Sequence, residues 1–415
     1  MTVSRRAFLD ASLGAAIGLT LGGIDARAAQ PSVTSALKSR FPDLPRHFVF
    51  EYYPWYGTEP YRHWNEAGRK PPIDLASNYM PKLGAYDSRS TKVMEQHARW
   101  IKDSGAGAIN VSWWGPGSDT DRLVPALMDV MAAHDIHVTF HLEPYRDHHA
   151  LAYADDITYL IRKYGDARKW DCFLLLEHEG RARGPVFKSF RSILPATTTD
   201  CRGRTSDVPD YATDAARREQ TDRVRRSFAA DFPRITLLAD SLDVGRTEAC
   251  GFDGIAIYDN YVRPESWRAH AEACTARGLV FAFNVNPGFN GVVDERLRSE
   301  PCYAPPALEP PAWFDWPSPA ERRRAALASE RRITESFETT TALQTDPGLS
   351  NAKLGFFLVY LNSFNEWHEG HQFEPMRDAA ELTAGERARG YHNPDDGSHR
   401  LDALAKLIAR VVEPR

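Results

Sequence analysis

The chain has 415 residues, 42% of them hydrophobic and 26% charged, a balance that suits a soluble enzyme with one large core or two smaller ones. Its formal net charge of −5 removes any global case for nucleic acid as a partner. The five cysteines are odd in number and include no Cys-x-x-Cys pair, which removes a zinc ribbon as well.

Residues 1–29 read as an address, not as fold. Ser4-Arg5-Arg6-Ala7-Phe8-Leu9 is a twin-arginine pattern, a mildly apolar stretch runs from Ala11 to Gly23, and Ala26-Arg27-Ala28 is a small-residue cleavage site. The expectation is export to the periplasm or beyond, with the mature chain, residues 30–415, forming one domain. The apolar stretch is too short to span a bilayer, and no later run is long enough.

The first predicted strand, Phe48 to Tyr53, ends in Pro54-Trp55-Tyr56-Gly57. An irregular segment rich in Pro, Tyr and Trp follows, from Pro60 to Asp87. Arg89 to Ser104 then has helical period, with Val93, Met94, His97, Trp100 and Ile101 on one face. A second strand, Ala108 to Ser112, runs into Trp113-Trp114-Gly115, and a helix from Thr120 to His134 leads to a third strand, Ile136 to His141, ending in Glu143-Pro144-Tyr145. Ala150 to Tyr164 reads as helix, Cys172 to Leu176 as a short helix or extra strand, and Gly184 to Ser189 as strand four. Composition shifts to Thr, Asp, Arg and Pro between Pro195 and Tyr211, the pattern of a surface loop or insertion. After a charged helix, Ala212 to Ala230, come strands at Arg234 to Asp240, Gly254 to Tyr258 and Gly278 to Asn284, with a helix from Pro264 to Arg277. A polar loop, Val293 to Pro317, precedes a helix from Pro319 to Leu343. Strand eight, Leu354 to Asn362, and a last helix, Arg400 to Val412, complete the chain.

Eight apolar strands alternating with helices in one array predict an α/β fold of the (β/α)8 TIM-barrel class, a single catalytic domain with long loops after its strands. A doubly wound sheet fits less well, because no Gly-rich phosphate loop follows the first strand. In a barrel the site lies at the carboxyl ends of the strands, and that is where the polar and aromatic residues of this chain collect. The strongest collection follows strand eight: Asn365-Glu366-Trp367-His368-Glu369, then Gly370-His371. Two carboxylates three residues apart, beside aromatic rings, are equipment for cleaving glycosidic bonds, which needs a proton donor for the leaving oxygen and a partner for the charge at the anomeric carbon. Glu366, Glu369 and Glu143 are the acid candidates. His63, His141, His368 and His371 are placed to tune or share protons. Among 10 Trp and 16 Tyr, those outside apolar runs, including Tyr52, Trp55, Trp64, Trp113, Trp114 and Tyr258, are the candidates to stack on sugar rings. A metal is not expected: His368 and His371 are three apart, not the four of a zinc-protease helix, and His137 and His141 fall on a strand.

The motifs also carry a likeness. Tyr52-Tyr-Pro-Trp-Tyr-Gly57, His63-Trp64-Asn65, Ser77-Asn78-Tyr79, Leu83-Gly84-x-Tyr86-x-Ser88-Arg89, Ser112-Trp113-Trp114, His141-Leu-Glu-Pro-Tyr145 and Phe364-Asn-Glu-Trp-His-Glu-Gly370 occur in one order, and this set resembles glycoside hydrolase family 99, the endo-α-mannosidases and endo-α-1,2-mannanases. The resemblance runs from Phe48 to the last helix. It implies a (β/α)8 barrel, retaining hydrolysis inside an α-mannoside chain, an oligo- or polysaccharide partner, and neither cofactor nor metal. It further implies that Glu366 is a base on the sugar's own 2-hydroxyl, which attacks to give a 1,2-anhydro sugar, and that Glu369 is the acid for the leaving group. Glu143, Tyr52, Trp55, Trp64, Trp114, Tyr145, Tyr258, Asn365 and His368 fall to substrate binding. Trp114 occupies a position where bacterial mannanases are similar and animal enzymes carry Tyr, which points to a mannose–mannose substrate. The chain departs from the pattern at His371, where Thr is expected, and in the loop Asn286 to Asn290. These departures keep open a related barrel hydrolase on another α-linked bacterial polysaccharide, or a non-catalytic glycan-binding barrel. Oligomeric state and disulfide pairing are not legible.

Overall fold

The structure, a computed structural model, describes residues 37–38, 40–145, 152–167, 170–178, 183–200, 202–294, 307–309 and 316–412. The twin-arginine segment, the helix start at 150, Cys201, Cys302 and most of the 293–317 loop lie outside those residues.

Eight parallel strands close a barrel. They are β1 (Phe48–Tyr52), β2 (Ala108–Trp113), β3 (His137–Leu142), β4 (Gly184–Ser189), β5 (Thr236–Ala239), β6 (Gly254–Ala256), β7 and β8 (Val359–Leu361). β7 is broken at Phe283 into Val280–Ala282, which pairs with β6, and Asn284–Val285, which pairs with β8. β8 then pairs with β1, Phe48 opposite Val359, and the ring is complete. The intervening helices are α1 (Thr91–Asp103), α2 (Asp119–Ala133), α3 (Tyr153–Leu160, continuing as a π-turn to Asp166), α4 (Asp214–Ser227), α5 (Val244–Ala249), α6 (Pro264–Ala276), α7 (Pro319–Thr345) and α8 (His399–Val412). Ser118, Thr213 and Ser318 cap α2, α4 and α7 by accepting backbone N–H groups, which relieves the unpaired donors of a helix start. The short α5 went unpredicted; it has room for barely one amphipathic turn.

Strand alternation sorts the residues. Phe48, Phe50 and Tyr52 of β1, and Val138, Phe140 and Leu142 of β3, pack outward against the helices in one apolar cluster. Val49, Ala108, Val186, Leu238, Ala256, Val280, Ala282 and Leu358 fill the inside near the amino ends of the strands. One layer higher the interior turns ionic. Glu51, 1% exposed, accepts from Lys188 Nζ at 2.7 Å, Asn110 Nδ2 at 3.0 Å and His141 Nδ1 at 2.9 Å. Burial pushes the Glu51 carboxyl up, but Lys188 and His141 outweigh it and hold it at about 2. Lys188 also lies 4.6 Å from the Tyr360 ring centre and 5.3 Å from that of Tyr258, a cation against two aromatic faces.

The segment at 195–211 is more ordered than a plain loop. Thr197–Thr199 and Thr205–Asp207 form an antiparallel hairpin, and the segment is moored where Asp210 pairs with the buried Arg217 and with Arg246. Leu175–Leu176 is a strand edge, antiparallel to the start of β4. Cys172, Cys250 and Cys274 are buried. No described helix is long and apolar enough to cross a membrane.

Candidate active site

The site sits on a hairpin-like excursion past the carboxyl end of β8. Phe373 N donates to Ser363 O at 2.8 Å and Glu374 N to Phe364 O at 2.7 Å, closing the loop. Ser363 Oγ accepts from Glu366 N at 2.8 Å, which turns the chain and aims Glu366 inward. Gly370 is required where it stands: its φ is +68°, and a Cβ there would lie 2.1 Å from Asn290 O. Asn290 N and Val292 N in turn bond to the carbonyls of Glu369 and His368, so the loop after β7 braces the loop after β8.

This places Glu366, 1% exposed, and Glu369, 17% exposed, side by side at the barrel mouth. The Tyr258 hydroxyl, from the end of β6, donates to Glu366 and lies 3.3 Å from Glu369 Oε2. His371 Nε2 is 2.8 Å from Glu369 Oε2 and 3.7 Å from Glu366 Oε2. Tyr53 donates its hydroxyl to Tyr258 at 3.1 Å. The wall continues through rings: Tyr53 to Trp55 at 4.8 Å, and Trp55 to Trp114 at 6.3 Å. The Trp114 indole N–H reaches Ser112 Oγ at 3.1 Å, and that hydroxyl donates to Glu143 Oε1 at 2.7 Å. A run of contacts thus links Tyr258, Trp55, Trp114 and Glu143 to the two glutamates.

Five expected binding residues are placed elsewhere. Tyr52 is on the outward face of β1, bonded to His97 Nδ1 at 3.0 Å and stacked on Phe364. The pleat puts Tyr53, in phase with Val49 and Glu51, into the mouth instead. Trp64 is fully buried under Tyr56, 4.1 Å ring to ring, with its N–H given to Tyr86 O. Asn365 is a clamp: it accepts from Tyr53 N at 2.7 Å and donates to Tyr53 O at 3.0 Å, fixing the β8 excursion to β1. Tyr145 spends its hydroxyl on Asp156 of α3 at 2.5 Å. His368 Nε2 is held by His63 O at 2.6 Å, which ties the Trp55–Trp64 segment to the motif. The Trp113 side chain likewise faces outward, its N–H bonded to Asp121.

Two acids went unnoticed in the sequence. Asp240, just past β5, accepts from Tyr258 N at 2.9 Å, and burial raises its carboxyl. Burial also pushes Asp259 up to about 6, with Asp240 and Glu369 adding to the shift. The signal that could have found them is position, within three residues beyond a barrel strand. Two trios among the described residues bring ligand-type atoms within 4.8 Å of one another: His63, Glu66 and His368, and Glu366, Glu369 and His371. In the first, His368 Nε2 is occupied by the His63 carbonyl. In the second, the atoms are those of the carboxylate pair itself.

A closed (β/α)8 barrel with paired carboxylates and an aromatic wall at its mouth defines a glycoside hydrolase. The comparisons with known proteins agree. The sequence profile described as Glycosyl hydrolase family 99 matches residues 44–173. A glycoprotein endo-alpha-1,2-mannosidase-like protein of Danio rerio is 27% identical over 402 residues, spanning 87% of this chain and 78% of that one. A glycoprotein endo-alpha-1,2-mannosidase of Mus musculus is 27% identical over 365 residues, 79% and 68% of the two chains. The solved GH99 endo-alpha-mannosidase of Bacteroides thetaiotaomicron superposes with a TM-score of 0.62 at 19% identity, over 89% of this chain and 99% of that one, a likeness of fold. Residues 44–173 thus match the family 99 profile, and most of the chain is similar to proteins named as endo-alpha-1,2-mannosidases.

Proposed function

We propose that the protein is a retaining, endo-acting α-mannosidase that cuts α-1,2-linked mannose chains with help from the sugar's own 2-hydroxyl. The observation that carries this reading is the convergence of Glu366 and Glu369, with oxygens within 4.8 Å of each other and of His371 Nε2. Carboxylates this close leave little room for the intervening water of an inverting enzyme, whose carboxyl groups stand roughly 6.5–9.5 Å apart. Glu366, the more buried of the two, takes the proton of the 2-hydroxyl as O2 attacks the anomeric carbon. The bond from that carbon to the leaving oxygen breaks, and Glu369 gives its proton to the leaving oxygen. The result is a 1,2-anhydro sugar with Glu366 protonated and Glu369 ionised. Water then opens the three-membered ring: Glu369 takes its proton, and Glu366 returns one to O2. Two inversions leave the α configuration retained. Trp55 and Trp114 supply apolar faces for the rings on either side of the cut, and Glu143 is placed to accept from a sugar hydroxyl.

The test is product analysis on an α-1,2-linked mannan or mannose oligosaccharide, by mass and by NMR of the anomeric proton. Internal fragments released with retained α configuration are expected. Release of mannose from chain ends only, or a first-formed β product, overturns the reading. Absence of cleavage by folded protein turns the search to other α-linked polysaccharides.

The Arg5-Arg6 segment further supports export through a twin-arginine route. Replacing both arginines with lysine is then expected to leave the protein in the cytoplasm of the producing cell; unchanged export excludes that route.

A further inference from the structure

Of the four histidines that sequence placed near the chemistry, one touches both carboxylates. His371 is 0% exposed. Its Nε2 lies between the two acids but not midway, at 2.8 Å from Glu369 and 3.7 Å from Glu366. The ring's other nitrogen, Nδ1, meets no hydrogen-bond partner among the described residues. A buried N–H without an acceptor is rarer and costlier than a bare lone pair, so the neutral ring carries its proton on Nε2 and donates it to Glu369. The ring is also held from behind. Arg400 of α8, itself buried, donates to the carbonyls of Gly370 at 3.0 Å and Gln372 at 3.1 Å, the two residues that flank His371. The His371 carbonyl accepts from Ser363 N at 3.1 Å.

The asymmetry has a chemical meaning. Tyr258 donates to Glu366, the carboxylate that is charged before reaction. During the first step that charge leaves Glu366 and appears on Glu369. A fixed donor nearer Glu369 therefore gains more in the transition state than in the resting state, which is the condition for accelerating a reaction. We infer that His371 is a positioning residue of this enzyme, holding Glu369 by an Nε2–H bond that strengthens as the acid gives up its proton. This rests on the assignment of Glu369 as the acid.

The experiment compares wild type with His371→Ala and His371→Gln on two substrates: an α-1,2-linked mannose oligosaccharide, whose leaving group needs a proton, and an α-mannobiosyl fluoride, whose leaving group needs almost none. Ala is expected to lower kcat on the oligosaccharide by roughly 10²-fold, the scale of one lost donor to a developing charge, with KM within about twofold, and to lower turnover of the fluoride only a few-fold. Gln, whose amide N–H can replace Nε2–H, is expected to restore most of the loss. Equal losses on both substrates, or wild-type kcat in the Ala variant, overturn the inference. A second measurement needs neither turnover nor a folded Ala variant. In ring-¹⁵N-labelled protein, the His371 Nε2–H resonance is expected in wild type and is expected to shift in Glu369→Gln. An unshifted resonance overturns the contact. Wild type inactive on both substrates would defeat the hydrolase reading, while the nitrogen spectra would still decide the fate of the His371–Glu369 bond.

Discussion

Two clusters built from nearly the same parts lie within a dozen residues of each other. In one, Glu374 accepts from Tyr86 at 2.8 Å, the Trp367 indole at 2.8 Å and His97 Nε2 at 3.2 Å. In the other, Glu366 and Glu369 meet Tyr258 and His371. Each has carboxylate, histidine and tyrosine. The Glu374 cluster is 0% exposed at the acid, faces the α1 side of the barrel, and has donors on both carboxylate oxygens. The Glu369 cluster opens to the mouth, and its acid is 17% exposed. The difference teaches that residue type does not separate a structural acid from a reacting one. Exposure at the acid and the side of the strand do.

That contrast can be broken in stages. Glu369→Gln and Glu366→Gln are each expected to cut oligosaccharide turnover by on the order of 10²–10⁴-fold while the thermal unfolding midpoint stays near wild type; near-normal turnover in either folded variant would refute its assigned role. Glu51→Gln removes one partner of a buried ion pair and is expected to cost about 3–5 kcal/mol in urea unfolding. The sign with pH follows from the lowered carboxyl, about 2 against an ordinary 4.5. Glu51 stabilises the fold fully above pH 4.5, and this contribution fades as pH falls toward 2. Wild type is thus expected to lose more stability than Glu51→Gln across that window, and parallel curves would refute the ion cluster. Glu374→Ala strips three buried donors of their acceptor and is expected to cost on the order of 3 kcal/mol or more, with activity per folded molecule close to wild type. A normal midpoint together with lost activity would reverse its place in the comparison. The smallest pair sharpens the strand argument. Tyr52→Phe is expected to cost about 1 kcal/mol of stability and leave kcat/KM unchanged, whereas Tyr53→Phe is expected to lower kcat/KM several-fold at unchanged stability. The opposite outcome would place the wrong face of β1 in the site.

The barrel was legible because its apolar runs alternate with amphipathic helices, and because the polar residues of every strand collect at one end. Glu366, Glu369 and Tyr258, singled out in the sequence because they follow strands, are brought together at the barrel mouth. Facing was harder to read. A run such as Phe48-Val-Phe-Glu-Tyr-Tyr53 is buried on both faces, so its hydrophobicity does not announce which residues look inward, and Tyr52 was taken for Tyr53. Trp64 and Asn365 failed differently. A tryptophan among glycines and prolines looks like a sugar platform, but the loops after the barrel strands are large enough to own a core, with Tyr56, Trp64, Leu75, Tyr79, Met80, Tyr86 and Trp367 packed together. Asn365 looked like a ligand because a side-chain amide that mimics a backbone strand leaves no trace in local sequence; its partner is 312 residues away.

The bonds that fix the 363–376 stretch carry a consequence for how the protein is made. They reach back to Glu51 and Tyr53 in the first strand and forward to Arg400 in the last helix. During vectorial synthesis the bonds from Arg400 to the carbonyls of Gly370 and Gln372 form only after that guanidinium has left the ribosomal tunnel. A nascent chain stalled anywhere before residue 400 therefore presents most of a barrel without the buried guanidinium that braces the stretch carrying Glu366 and Glu369.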